Sequence, residues 1–407
     1  PVDKDNIAPR VGAVYDVSGK GTAVFRGGYG IFYDRTSLTV LDEINRQGVY
    51  SSSFTALFPA NQPDPGPSQG RLPTDPMLVG GPVVNRALLD RLIPLGTLSR
   101  NTGTVWLDHP GRKIPYNHNI TFGYERQIGP SISVSADYIR SVGRDQFVNR
   151  EVNPGVRAST ARNALLTRTD LYGLAQEMGL SPFLGSVQVR DNLGKTAYDG
   201  LNLAFEKRYS YNFSARVSYA VGYARGTVNG GLPETANFQF LDNVNLDLNE
   251  GPSASDRRHN FVLSFRGMVP KTGGLTVSGV YRALSGLPLT IQNQNIDADR
   301  NGVFFDPLPP GTYSGVGPDA ITVENDGGRN GARGLGFAQL DLRIGYRLRV
   351  WNTRTLDVFG EIFNVTNRAN FNNPTGDMRG GAQFLVPTTL RGGGFPRQFQ
   401  FGTRFGF

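Results

Sequence analysis

The amino-acid sequence predicts an all-β fold, a transmembrane antiparallel β-barrel with long extracellular loops. Three observations point there. Long stretches alternate apolar and polar residues with the period of two that sorts side chains onto the two faces of a β-strand. The connections between those stretches alternate between short and long. The chain ends on Phe399, Phe401, Thr403, Phe405 and Phe407 along one face, with Gln400, Gly402, Arg404 and Gly406 along the other. A soluble protein seldom leaves such an aromatic stripe uncovered, because the edge recruits other strands. A strand with lipid on one side and a wet lumen on the other has this pattern.

Taken in order, eleven strands are expected near residues 9–17, 22–34, 115–127, 131–142, 196–209, 211–225, 257–270, 274–284, 337–350, 354–366 and 396–407. In the third, Ile120, Phe122 and Tyr124 alternate with Asn119, Thr121, Gly123 and Glu125. In the fifth, Leu201, Leu203 and Phe205 alternate with Asn202, Ala204 and Glu206. In the sixth, Phe213, Ala215, Val217, Tyr219, Val221 and Tyr223 oppose Asn212, Ser214, Arg216, Ser218 and Gly222. In the ninth, Ala338, Leu340, Leu342, Ile344, Tyr346, Leu348 and Val350 oppose Gln339, Asp341, Arg343, Gly345, Arg347 and Arg349. Soluble strands average about 5–6 residues, whereas membrane-spanning strands need about 9–11. The lengths here favour a membrane.

The short connections are 18–21, 128–130, 210, 271–273 and 351–353, and the long ones 35–114, 143–195, 226–256, 285–336 and 367–395. Outer-membrane barrels have short periplasmic turns and long extracellular loops, and a soluble sandwich has no reason to sort its connections this way. The parity puts the C-terminus in the periplasm and residue 1 outside the cell. Eleven strands is odd, whereas bacterial single-chain barrels are even. The chain is therefore expected to be the C-terminal part of a larger barrel. The rival is a twelfth strand hidden in 284–292 or 381–390. Residues 158–180 have some helical character.

Composition excludes several classes. The chain has 407 residues, no Cys and three His, so disulfides and Cys-ligated metals are absent and His-based catalysis has little material. No apolar run is long enough for a transmembrane helix. The mean hydropathy of −0.31 suits a barrel whose strands are half polar. The formal charge is +8, but the arginines are interleaved with strand apolars, so no nucleic-acid partner is expected. No nucleophile elbow, phosphate loop or metalloprotease motif occurs, and no enzymatic activity is expected.

Several stretches carry a family resemblance. Asn6 to Asp16 (NIAPRVGAVYD) with Ala23 to Asp34 (AVFRGGYGIFYD) resembles a hairpin of TonB-dependent receptors. Asp256 to Phe261 (DRRHNF) resembles the entry to a late barrel strand of that family, and Phe359 to Asn367 (FGEIFNVTN) its penultimate strand. With the terminal Phe, these are similar to the Oar-like branch, which carries an N-terminal carboxypeptidase-regulatory-like domain. Gln400, Gly402, Phe405 and Phe407 resemble the C-terminal assembly signal read by the barrel insertion machinery. The resemblance implies an outer-membrane transporter of about 22 strands with a plugged lumen. Residues 1–407 would be the C-terminal barrel portion, without plug or N-terminal domain. The implied partners are outer-membrane lipid, the insertion machinery, the TonB complex through the missing plug, and an unknown bulky substrate. A passive porin-like channel of twelve strands and a secreted or surface all-β adhesin are the alternatives.

Candidate site residues are few. Asp297, Asp299 and Asn301, followed by Gly302, match the start of a calcium loop. Its twelfth position is Leu308 rather than Glu, with Asp306 the nearest carboxylate, and an ordinary Asp/Asn/Gly turn has the same composition. No other cofactor is expected. The inward faces carry Arg26, Arg208, Arg216, Arg266, Arg343, Arg347, Arg349 and Arg404 with Glu206, Asp341, Asp357 and Glu361. They read as a wet wall biased positive, facing either a plug or an anionic substrate, or as plain lumen hydration. Tyr15, Tyr29, Tyr33, Tyr124, Tyr138, Phe205, Tyr219, Tyr223, Tyr281 and Tyr346 lie on the apolar faces, as an interfacial girdle would.

Overall fold

The computed structural model describes residues 6–35, 54–56, 98–100, 105–109, 111–151, 187–229, 241–242, 245–293, 306–351 and 354–406. Two compact units divide the chain: residues 1–35, 111–148 and 191–407 form one, and residues 36–110 with 149–190 the other.

Eleven long strands pair in chain order as one antiparallel up-and-down sheet. They are β1 (Arg10–Asp16), β2 (Ala23–Tyr33), β3 (Tyr116–Ile128), β4 (Ile132–Glu151), β5 (Val187–Ser210) and β6 (Phe213–Gly226). The remainder are β7 (His259–Met268), β8 (Leu275–Leu284), β9 (Phe337–Trp351), β10 (Arg354–Phe363) and β11 (Gln398–Gly406). All eleven expected strands are present, and every second connection is a tight turn. The sheet therefore has a turn end and a loop end. Among the described residues, β1 pairs along its length with β2 alone and β11 with β10 alone, so the sheet has two free edges.

Local chemistry sets the strand limits. β4 and β5 run past the expected 142 and 196, because ladder pairing continues after the apolar alternation stops. β10 ends earlier than expected. Asn364 turns to φ 51, a conformation Asn tolerates, and its buried side-chain amide donates to the carbonyls of Arg368 and Phe395. The β5–β6 turn is Tyr211-Asn212 rather than residue 210. Both residues have positive φ, at 51 and 66, as a two-residue turn matching strand twist requires. The Lys207 ammonium braces this turn, donating to the carbonyls of Ser210 and Phe213 at 2.7 and 2.9 Å.

Gly123 shows why a strand of this wall tolerates glycine. It lies between Arg26 and Asp137 in the register, and a Cβ there would collide with the Asp137 carboxylate. Its absence lets Arg26 cross a full strand to reach Asp137.

Neither suspected stretch supplies a twelfth wall strand. Within 284–292, Pro288–Leu289 joins a separate four-stranded sheet with Ala332–Arg333, Thr322–Asn325 and Gly311–Ser314. Residues 381–390 hold part of a short 3-10 segment, Met378–Gln383, and isolated bridges. The stretch 158–180 lies outside the described residues. In the second unit, Val105–Asp108 pairs in parallel with Val187–Arg190, and Phe54–Ala56 pairs with Leu98–Arg100.

Candidate functional site

One face of the eleven-stranded sheet is apolar and uncovered. Val11, Phe122, Leu203, Ile344, Val358 and Phe401 are all exposed, Phe401 at 83%. A soluble monomer rarely exposes such a surface, whereas lipid covers it. Charged and polar residues bracket the band on this face. In β3 it runs from His118 to Arg126, across Ile120, Phe122 and Tyr124. In β5 it runs from Asp199 to Lys207, across Leu201, Leu203 and Phe205. Each stretch of about eight residues rises ~26 Å along the strand, or roughly 20 Å of height at a tilt of about 40°. That is close to the apolar band of about 25 Å that such barrels present.

The upper limit of the band is built from tyrosines, three of them with hydrogen-bonded hydroxyls. Tyr29, Tyr138, Tyr219 and Tyr281 stand at the same step of β2, β4, β6 and β8, the strands that leave the turn end. Tyr29 and Tyr219 hydrogen-bond to Nδ1 of His118 and His259, both at 2.8 Å, with the rings stacked. Tyr138 donates to Asp199 at 2.6 Å, and Arg140 donates to the same oxygen at 3.0 Å. An aromatic body in lipid with its polar tip partnered suits an interface. Four of the ten residues expected to form a girdle thus stand in one row on the apolar face. Its His and Asp partners on the neighbouring strands were missed, although His118 and Asp199 each alternate in phase with the apolar set.

The opposite face is polar and carries several ion pairs. Arg26 clamps Asp137 with contacts of 2.8 and 2.9 Å and reaches Glu125 at 3.2 Å. Arg343 pairs with Glu361 at 3.3 Å, Arg347 with Asp357 at 2.6 Å, and Arg282 with Asp341 at 3.6 Å. Arg282 was not among the expected wall charges. Its strand alternates weakly, since Val280 shares the polar face.

At the loop end, residues 285–293 and 306–336 fold together with 364–397 into a cap. Leu289, Ile291, Val323, Ala332, Phe384 and Leu385 form its buried core. Fully buried side chains such as Ile291 and Leu385 contribute about 1.5–3 kcal/mol each. Two buried polar groups fasten the cap to the wall. Arg329, 3% exposed, donates to the carbonyls of Gly226 and Gly251. Burial holds its guanidinium down to about 10, opposed by the nearby Glu250 carboxylate, so it stays charged at neutral pH. Asp256, 1% exposed, accepts from the Ala224 amide at 2.7 Å, from Arg258 at 3.1 Å and from Arg333. Burial lowers the pKa of Arg257, as does the like charge of Arg391, and burial lowers that of Arg391.

The C-terminal motif divides between the faces as expected. Gln400 lies opposite Glu361, Gly402 sits under the Phe359 ring, and Phe405 lies opposite Leu356. Phe407 lies outside the described residues. So do Asp297, Asp299 and Asn301 of the expected calcium loop, of which only Asp306 is described. Among the described residues, no group of three His, Asp or Glu side chains is placed to hold a metal ion.

The family model of the outer membrane β-barrel domain matches residues 1–400. The outer membrane transporter YddB from Escherichia coli is similar in structure, with TM-score 0.53 and 12% identity over 98% of this chain and 40% of that one. The ferripyoverdine receptor of Pseudomonas aeruginosa gives TM-score 0.46 and 11% identity over 97% and 32% of the two chains. The FrpB iron transporter from Neisseria meningitidis gives 0.45 and 13% over 98% and 39%. The chain therefore spans well under two thirds of the length of these proteins. No curated protein sequence matches it. With a lipid-facing band, a charged inner wall and a family model that matches almost its whole length, the chain belongs to the outer membrane β-barrel domain family and resides in the outer membrane.

Proposed function

We propose that residues 1–407 are the C-terminal part of the barrel of a TonB-dependent receptor of the Oar-like kind, forming half the wall of a gated passage for a bulky substrate. The observation that carries this reading is the pair of free edges on an odd-numbered sheet. Bilayer hydrocarbon offers no water to satisfy edge N–H and C=O groups, so both edges need partners. β1 and β11 run in the same direction, and joining them directly would give a parallel seam. An odd number of further antiparallel strands removes that seam, and eleven more would make about 22. The likeness to YddB over 40% of its length supports this account. The resemblance of the β1–β2 hairpin and of β10 to TonB-dependent receptors supports the energy source. The turn end then faces the periplasm, and the plug and TonB contact belong to the rest of the receptor. The wall is read as performing no chemistry, since most of its carboxylates, Glu125, Asp137, Asp341, Asp357 and Glu361, are held in ion pairs along a wet surface.

The test is the sequence encoded upstream of Pro1. Further period-two strands preceded by a plug domain are expected. A signal peptide joined directly to Pro1, with steady single-channel conductance from the 407-residue chain, would overturn the reading in favour of a passive channel.

The insertion machinery is the proposed reader of Gln400, Gly402, Phe405 and Phe407. Phe405→Ser is expected to lower the amount of folded protein in the outer membrane several-fold, with Phe405→Tyr restoring it. Equal outer-membrane levels for wild type and Phe405→Ser would remove the signal.

A further inference from the structure

We propose that the polar wall between β5 and β9, toward the turn end, is a binding site for small oxyanions bearing carboxylate or phosphate groups. The proposal rests on the barrel reading, in which this face lines the lumen. The register places the groups. Arg266 on β7 lies between Ser214 on β6 and Ser278 on β8. Arg216 on β6 lies between Ser264 on β7 and Glu206 on β5. Two guanidiniums therefore stand among three hydroxyls, and Arg208 closes the edge. A hollow of about 520 Å³ opens over these residues, bounded on its far side by the Arg343–Glu361 pair.

The donors of this hollow are unspent. Among the described residues, the side chains of Arg208, Arg216, Arg266, Ser214, Ser264 and Ser278 make no hydrogen bond or ion pair. Elsewhere on the same face Arg26 is neutralised by Asp137 at 2.8 Å and Arg347 by Asp357 at 2.6 Å, whereas Arg349 and Arg404 stand apart from this cluster. Three arginines without carboxylate partners thus gather around one hollow. Glu206 is the one carboxylate at this edge, and it forms no ion pair with Arg216 despite lying opposite it. Even a full Glu206–Arg216 pair would leave Arg208 and Arg266 uncompensated.

The planar guanidinium fork matches the two oxygens of a carboxylate or phosphate, and serine hydroxyls supply additional donors. The volume lies within the ~300–1,000 Å³ usual for small-ligand sites. Cations are repelled, and an apolar ligand would leave six polar side chains without water or partner. A carboxylate reaches this hollow either on a free anion or on an acidic polypeptide entering the lumen. The compact serine floor favours the free anion.

The experiment is calorimetric titration of the purified full-length protein in detergent, at low ionic strength, with citrate, with pyrophosphate and with a Glu-rich hexapeptide. Saturable binding of citrate or pyrophosphate is expected, weakening as salt is added. Arg216→Gln with Arg266→Gln should weaken it at least tenfold, whereas Arg349→Gln, on the same face outside the hollow, should leave it unchanged. Heat-modifiable gel mobility confirms that each variant is folded. No saturable heat, equal affinity in the double variant, or binding of the hexapeptide alone overturns the site. Binding by the purified protein needs no energised inner membrane. Failure of this site is therefore distinct from failure of the uptake reading, which the upstream sequence decides.

Discussion

Asp256→Ala is expected to loosen the loop cap by about 3 kcal/mol, because it strips a buried acceptor from two arginines and a backbone amide at once. The carboxylate is 1% exposed, while Arg333 and Arg258 are about a third exposed at their side chains. Water therefore recovers part of the arginine charge, which keeps the cost at the low end for a broken buried pair. The barrel wall need not open for the cap to detach, so the effect is local. It is read by limited proteolysis of intact cells or vesicles. Cleavage within 285–336 should rise roughly a hundredfold, since every 1.4 kcal/mol is a factor of ten in the open population. Asp256→Asn retains an acceptor for the Ala224 amide and should fall between the two. If Asp256→Ala leaves the cleavage rate at the wild-type level, the cap is held by its apolar core alone.

Leu203→Arg is expected to cost about 2–4 kcal/mol of stability in a lipid bilayer, and Asn202→Arg within about 0.5 kcal/mol of nothing. The two positions are neighbours on β5, but they point to opposite faces. Leu203 stands midway between Asp199 and Lys207, at the centre of the band, where a guanidinium cannot reach water. Asn202 faces the polar wall opposite Ala220, where a guanidinium stays hydrated. Urea titrations of protein folded into vesicles give both values. Equal costs at 202 and 203 would mean that the face assignment is wrong, and with it the membrane reading of the whole sheet.

The wall was legible in the sequence because each strand meets two different solvents. Lipid on one side and water on the other impose an alternation that survives along nearly every ladder, as in Phe213 to Tyr223 and Ala338 to Val350. The tight turns were legible from parity, though not to the residue. Nothing in Tyr211 announces a positive φ, and only the Asn212 that follows it hints at a turn. The extensions of β4 to Glu151 and of β5 back to Val187 left no pattern, since consecutive residues there, Gln146 to Asn149 and Val189 to Asp191, are buried, and a strand covered on both faces has no reason to alternate. The loop cap was invisible for a related reason. Its strands are two to four residues long, and its core is assembled from two connections far apart in the chain.

Fold class, the eleven strands, the facing of each and the parity of their connections could all be read from the residues in order. All of these follow from a period-two pattern that each strand carries on its own. Which groups meet across strands emerged with the folded sheet and not before. It placed Arg26 beyond Gly123 on Asp137, His118 and His259 on tyrosines, and Arg329 and Asp256 at the joints of the cap. It also left Arg216 and Arg266 among unpaired serines while their neighbours found carboxylates. Alternation sets the face of a side chain, but register and side-chain reach set its partner, and those depend on residues up to a hundred positions away.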